Sequence, residues 1–312
     1  MRAFGEVRRA VIKLGLAAPW LILSRRSGQA GEAERTAARQ ALAAVTSWGV
    51  QYQKVDIAAI AGSPLDLIVL DPSINDSTRR FISPAEMAAL KRKPDGGRRL
   101  VIGYLCIGEA DLKRWYWPPQ WRSRPPAWVG PDNVNWPGSR VVRYWDRQWQ
   151  DLVVTGQRSI LAKIIDMGFD GALLDRVDAY GDWERQYPRA RTEMIDIVEK
   201  VATFARRRQP GFLLIPQNAE HIIEDERYRS AIDGLNKESL LTGLGGENVP
   251  NREVDVEWSY SRLRQAQSDG IRMLATEYLS DPALKMTTDA RLRDWGFLPF
   301  FGARALDRQP WG

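Results

Sequence analysis

The sequence predicts an α/β fold: a single (β/α)8 barrel with a tryptophan-rich insertion between its third and fourth strands. Three observations predict it. Eight short apolar runs alternate with longer stretches of helical pattern, and such strand–helix repeats imply parallel strands. Several runs are almost continuously apolar, as expected of strands buried on both faces. The length of 312 residues suits one large domain of this type carrying an insertion, and 44% hydrophobic with 27% charged residues excludes global disorder.

The first element is an N-terminal segment over residues 1–30. Arg2, Arg8, Arg9, Lys13, Arg25 and Arg26 stand there against Glu6 alone, so most of the formal net charge of +6 belongs to this end. That unevenness gives no ground for a nucleic-acid partner. The apolar stretch VIKLGLAAPWLIL is short for a membrane span. A basic start, an apolar run and then the small residues of SGQAGEA predict an export signal or a membrane tether. Expected placement is therefore outside the cytoplasm, although Arg25 and Arg26 behind the apolar run argue against clean cleavage.

The barrel domain is expected over 31–312. It opens with a helix over EAERTAARQALAAV. The strands follow as SWGVQYQ (47–53), LDLIVLD (65–71), LVIGYLCIGE (100–109), FDGALLD (169–175), FLLIPQN (212–218), IDGLNKES (232–239), IRMLATEY (271–278) and WGFLPFFG (295–302). SILAKIIDMG and TEMIDIVEKVATFARRRQ read as two of the intervening helices. The spacing breaks once, between the third and fourth strands. This insertion holds Trp115, Trp117, Trp121, Trp128, Trp136, Trp145 and Trp149, seven of the thirteen tryptophans, and reads as loop followed by a helix near 146–165. Dense tryptophan argues against disorder. Most of these rings are expected to form a local core, with one or two lining a cleft.

Residue counts narrow the chemistry. One cysteine, Cys106, excludes an intrachain disulfide framework, and its apolar run reads as that of a buried small side chain. One histidine, His221, excludes a His-His zinc site and reads as a surface helix residue. Acid–base work falls to carboxylates, lysine or tyrosine. No cofactor and no metal is expected, because the acidic residues form no tight D-x-D or EF-hand spacing.

In a barrel of this kind the active site lies where the strands end. There the sequence places Asp71, Glu109, Asp111, Asp175, Asp178, Tyr180, Gln217, Asn218, Lys237, Glu238, Glu277 and Tyr278, an acidic ring with amide and phenol groups around it. Two carboxylates across a cleft suit glycosidic cleavage, one protonating the leaving oxygen and the other attacking the anomeric carbon or activating water. A strand-end carboxylate can equally cap the next helix, and for Asp175 the residues alone leave both readings open. Asp178 reads as a cap or a supporting group. Candidate substrate-binding residues are Asp71, Tyr104, Glu109, Trp117, Tyr180, Gln217, Asn218, Glu277 and Tyr278.

In order, SWGVQYQ, LIVLDPS, VIGYLCIGEADLKRWYW, VRYWDRQWQDLV, GFDGALLDRVDAY, IPQNAE, NKESLLTG and ATEYLSD resemble glycoside hydrolase family 114 from about Trp48 to Phe301. The resemblance implies an endo-α-1,4-polygalactosaminidase-like barrel acting on a cationic amino-sugar polysaccharide. It implies Asp175 and Glu238 as the catalytic pair, with retention of configuration, Asp175 as nucleophile and Glu238 as acid/base. LDPS departs from the aromatic expected after the aspartate, which weakens Asp71. Lys237 and the loop GLGGENVPNREVD match nothing in the pattern; alternation along a strand turns Lys237 away from Glu238. A catalytically silent carbohydrate-binding protein on the same barrel is the competing reading.

Overall fold

Each of the eight apolar runs contains a strand. The computed structural model describes residues 19–74 and 80–307. The strands are β1 (Trp48–Gln51), β2 (Leu67–Leu70), β3 (Leu100–Cys106), β4 (Gly171–Asp175), β5 (Leu213–Pro216), β6 (Gly234–Glu238), β7 (Arg272–Glu277) and β8 (Leu298–Phe301). All neighbouring pairs are parallel, and they form two ladders, β1 to β5 and β6 to β8.

The expected closed barrel is only partly formed by backbone pairing. Between β5 and β6 the sheet continues through an isolated parallel bridge, Gln217 to Asn236, with hydrogen bonds from Asn218 N to Asn236 O (2.8 Å) and from Asp233 N to Leu214 O (2.9 Å). Among the described residues no ladder joins β8 to β1. That seam is filled by side chains instead: the buried Trp48 indole donates to Leu298 O at 2.9 Å, and its ring lies 5.6 Å from that of Phe300.

Side-chain alternation divides the strands into two faces. Trp48, Val50, Leu67, Val69, Leu100, Ile102, Leu173, Leu213, Ile215, Leu274, Leu298 and Phe300 form one buried cluster, which is the interior of the curved sheet. Leu42 and Val45 join it from the end of the helix Pro19–Ala43. The alternate residues, among them Ile68, Leu70, Val101, Leu174, Leu214, Leu235 and Met273, pack outward into a second cluster with the helices. Each fully buried aliphatic or aromatic side chain contributes roughly 1.5–3 kcal/mol relative to exposure.

The helices Ile160–Asp166 and Ala190–Arg208 lie where the helical patterns predict them. The single helix expected near 146–165 is instead broken. An α-turn, Arg147–Gln150, passes into a π-helical turn, Asp151–Thr155, and the chain becomes extended at Gly156 (ψ 148°) before Ser159 caps the next helix. A side chain at Gly156 would lie 2.4 Å from Asp151 O, so the break depends on glycine. Most of the N-terminal signal-like stretch lies outside the described residues; the first described helix already begins at Pro19. Among the described residues no helix is long and apolar enough to cross a membrane.

Between β3 and β4 the insertion builds a small antiparallel sheet from Glu109–Asp111, Val129–Asp132 and Ser139–Val142. Most of its tryptophans form a local core, while Trp136 is exposed. Trp117, Trp121 and Trp128 meet edge to face at 5.3–6.2 Å, and Trp149 packs on Trp128 at 4.8 Å while donating to Ile107 O.

Candidate active site

Following each interior column to the C-terminal end of its strand locates the site. The columns end in Tyr52 after β1, Asp71 after β2, Tyr104 in β3, Asp175 in β4, Gln217 after β5, Glu238 in β6 and Tyr278 after β7. All but Glu238 continue the two-residue repeat of the interior cluster, and Glu238 pairs with Thr276, which lies in the Leu274–Tyr278 column of β7. These side chains therefore converge above that cluster, and Asp175, Gln217, Glu238, Tyr104 and Tyr52 are half-buried there.

Asp175 is held by three donors. Tyr104 Oη donates to Oδ2 at 2.6 Å, while Arg176 N (2.8 Å) and Gln217 Nε2 (3.1 Å) donate to Oδ1. Asn236 Nδ2 donates to Gln217 Oε1 at 3.0 Å, which turns the Gln217 amino group toward Asp175, and Thr276 Oγ1 in turn fixes Asn236 at 3.1 Å. Burial pushes the Asp175 carboxyl above the ordinary aspartate range, and the donors pull against that. Arg176 is left-handed (φ 57°), so the chain turns sharply away directly after Asp175. Gly108 permits this turn, because a side chain there would lie 2.2 Å from Arg176 O.

Glu238 has fewer partners. Tyr278 Oη donates to Oε1, and Asn218 Nδ2 donates to Oε2 at a longer 3.3 Å. Burial raises its pKa, and the Asp175 charge raises it further. Ser239 beyond it is again left-handed (φ 50°). Asn218 anchors the strand end as well, its Oδ1 accepting from Glu238 N at 3.0 Å and Lys237 Nζ at 3.3 Å. Lys237 lies in the outer column and pairs with Glu220 at 2.9 Å, although its charge still opposes the rise at Glu238.

The expected acidic ring is only partly realised at this centre. Asp71, 2% exposed, accepts from Ser73 N and Oγ, both at 2.8 Å, and pairs with Arg114, so it acts by holding Arg114 in place. Glu109 is buried and satisfied by Arg176 Nε (2.6 Å), Asn133 Nδ2 (2.8 Å) and Ser139 Oγ (2.7 Å); it ties the insertion to the residue after Asp175. Glu277, expected in the cleft, has no exposed surface. It belongs to the outer column and accepts from Leu241 N (2.8 Å), Thr242 N (3.1 Å) and Thr242 Oγ1 (2.7 Å), holding the loop after β6. Trp117 is buried in the tryptophan core rather than displayed to a ligand. Tyr180 is buried with its hydroxyl 3.4 Å from His221 Nδ1. Cys106 sits beside Asp175 across the β3/β4 pair, its thiol pushed up by burial and by the carboxylates.

Two residues not anticipated from the sequence complete the centre. The Tyr52 ring packs 4.6 Å from that of Tyr104, and burial first, then the Asp175 and Glu238 charges, push its phenol well above the ordinary tyrosine range. Arg114 reaches in from the insertion, its guanidinium 5.2 Å from the Tyr104 ring centre. Among the described residues no group of three or more His, Cys, Asp or Glu side chains is placed to hold a metal ion.

A half-buried carboxylate pair at the end of parallel strands is a glycosidase arrangement, and comparison with known proteins decides the family. The description of glycoside-hydrolase family GH114 matches residues 29–290. The chain belongs to glycoside-hydrolase family GH114. An uncharacterized protein of Deinococcus radiodurans is 35% identical to this GH114 chain over 274 residues, covering 86% of the chain and 84% of the relative. One from Thermotoga maritima is 30% identical over 255 residues, covering 80% and 76%. Among solved structures, the GH114 chain is similar in fold to Aspergillus fumigatus Ega3 in complex with galactosamine. The TM-score is 0.63 at 18% identity, with 85% of this chain and 93% of that one covered. An α-L-fucosidase from Paenibacillus thiaminolyticus shares the fold more distantly, with a TM-score of 0.51 at 11% identity and coverages of 85% and 47%.

Proposed function

We propose that this glycoside hydrolase cleaves α-1,4-linked galactosamine-containing polysaccharide internally, on a (β/α)8 barrel, by a retaining two-carboxylate mechanism. Asp175 is the nucleophile and Glu238 the acid/base. The observation that carries the assignment is the contrast between the two carboxylates. Asp175 accepts three hydrogen bonds, each favouring its ionised form and fixing its direction, as a nucleophile in line with the anomeric carbon requires. Glu238 is held more loosely, and the Asp175 charge favours its protonated form.

The Glu238 proton passes to the glycosidic oxygen as the bond from that oxygen to C1 breaks, and an Asp175 oxygen bonds to C1. Glu238, now ionised, takes a proton from water whose oxygen displaces Asp175 from C1. Galactosamine as the sugar is supported by the family and by the ligand of the Ega3 structure. Action on an extracellular polymer also accords with the export signal or tether read in residues 1–30.

The test is a panel of amino-sugar polymers, acetylated and de-acetylated, with released oligosaccharides read by mass spectrometry and the first-formed anomer by NMR. Oligosaccharide release from the α-1,4-galactosamine polymer with initial α product is expected. Polymer retention without cleavage would favour the silent binding protein, and initial β product would overturn retention.

A further inference from the structure

Beside the catalytic centre lies a cavity of about 420 Å³, between the segments that follow β4 and β5 and the helix Glu253–Ser268. We propose that it is a distal subsite that binds a protonated amino-sugar unit of the polymer, with Trp258 as the ring platform and Asp178, Glu184 and Asp255 as acceptors for the ammonium group. The proposal rests on the galactosamine-polymer reading above and extends it to the basis of charge recognition.

Trp258 is 37% exposed, an unusual degree for an indole on a helix whose buried face is made by Val256, Ser259, Leu263 and Ala266. Its ring packs against His221 at 4.6 Å and the Arg262 guanidinium at 4.3 Å. A held indole that stays partly exposed in a cavity wall offers apolar surface to the C–H face of a sugar. Burial first, and then the charges of Arg191 and Arg262, hold His221 below its ordinary pKa.

The walls carry four carboxylates, counting Glu220, against the single ammonium of Lys237. Each carboxylate also has a cationic partner: Asp178 has Arg176 (3.1 Å), Glu184 has Arg191 (2.5 Å), Asp255 has Arg252 (2.7 Å) and Glu220 has Lys237 (2.9 Å). None of the three arginines lines the cavity. An ionised carboxylate has about four acceptor positions, so one ion pair leaves capacity for an ammonium donor. The interior behind this wall is polar too. The Tyr228 hydroxyl is fully buried without a hydrogen-bond partner among the described residues, close enough to Tyr180, Glu220 and Asp178 to feel their charge. Asn218 links the cavity wall to the catalytic centre, its Oδ1 accepting from Lys237 and its Nδ2 donating to Glu238.

The test measures binding and cleavage separately. A galactosamine hexamer and its fully N-acetylated counterpart are titrated calorimetrically into the Glu238→Gln protein, alone and with Trp258→Ala, Trp258→Phe or Asp178→Asn added. The de-acetylated hexamer is expected to bind about tenfold more weakly with Trp258→Ala, to recover with Trp258→Phe, and to bind several-fold more weakly with Asp178→Asn. The acetylated hexamer is expected to lose affinity with Trp258→Ala but not with Asp178→Asn. In Trp258→Ala with Glu238 intact, the ratio of kcat/KM for long polymer to that for a trimer should fall by a similar factor. Hexamer affinity unchanged in both Trp258→Ala and Asp178→Asn would overturn the subsite even if polymer is cleaved. Trp258-dependent hexamer binding by a protein that cleaves no galactosamine polymer would keep the subsite and overturn the activity.

Discussion

Removing one phenol oxygen at a time separates the roles of the two carboxylates. Tyr278 donates to Glu238 and Tyr104 donates to Asp175 at 2.6 Å. A hydrogen bond to a charged group contributes about 1.5–3 kcal/mol, and each pKa unit corresponds to about 1.4 kcal/mol. Both carboxylates are half-buried, so water replaces part of what is lost, and a shift of about one unit is expected at each. The direction follows from the chemistry. Each donor favours the ionised form, so its removal raises the pKa of its carboxylate beyond the rise that burial already imposes. An acid must be protonated, so Tyr278→Phe should move the high-pH limb of kcat/KM upward. A nucleophile must be ionised, so Tyr104→Phe should move the low-pH limb upward and leave the other nearly in place. Because the carboxylates interact, each limb reports an apparent value of the pair, and the comparison between variants carries the assignment. Exchanged limbs would reverse the roles; two unshifted profiles would refute the coupling read from the geometry.

Further outcomes follow from burial and charge. Asp175→Asn and Glu238→Gln should each cost several orders of magnitude in turnover while raising thermal stability at pH 7. Both carboxyls have folded pKa values raised above the unfolded ones, so their contribution to stability is present below the unfolded pKa and is lost as pH rises through the folded value. Calorimetric melting at pH 7 and pH 4 checks this: the gain should shrink at pH 4. Asp233 is buried and accepts from Arg35 (3.1 Å), Arg206 (2.8 Å) and Leu214 N (2.9 Å), so Asp233→Asn should destabilise the fold by about 3 kcal/mol in urea unfolding. De-acetylated polymer should be cleaved faster than acetylated polymer, and the ratio should narrow between low salt and 0.5 M salt as charges are screened. Equal rates at both salt levels would remove charge recognition from the account.

The strands were legible because the outer and inner faces are both apolar, which leaves short uninterrupted runs. The same runs contain the finer signal of alternation. Counting by two from Trp48 and Val50 reaches Tyr52, and counting from Met273 and Ala275 reaches Glu277 on the outer face. Phase therefore picks out Tyr52 and removes Glu277, whereas listing every polar residue at a strand end does neither. Arg114 had no such signal. It lies in an irregular insertion, and its position depends on a pairing with Asp71 more than forty residues earlier, which no local period encodes. Trp117 misled through composition: ring count shows that tryptophans cluster, but not which ones face outward. The break at Gly156 was hidden because the apolar pattern runs through it on both sides.

The interrupted sheet has a mechanical consequence. Asp175 stands on the last strand but one of the five-stranded ladder, and Glu238 on the first strand of the three-stranded ladder. The gap between the two carboxylates therefore spans the joint at Gln217 and Asn236, where two amide side chains lock together at 3.0 Å. Asn218 crosses the same joint, its Oδ1 accepting from Glu238 N at 3.0 Å and its Nδ2 donating to Glu238 Oε2 at 3.3 Å, so side chains at the strand ends set the spacing of the carboxylates where no continuous ladder does. The pair behaves as the jaws of a calliper whose screw is a glutamine–asparagine contact. Swapping the side chains at that contact would alter the jaw width and, because Gln217 also donates to Asp175 at 3.1 Å, the hold on that carboxylate with it.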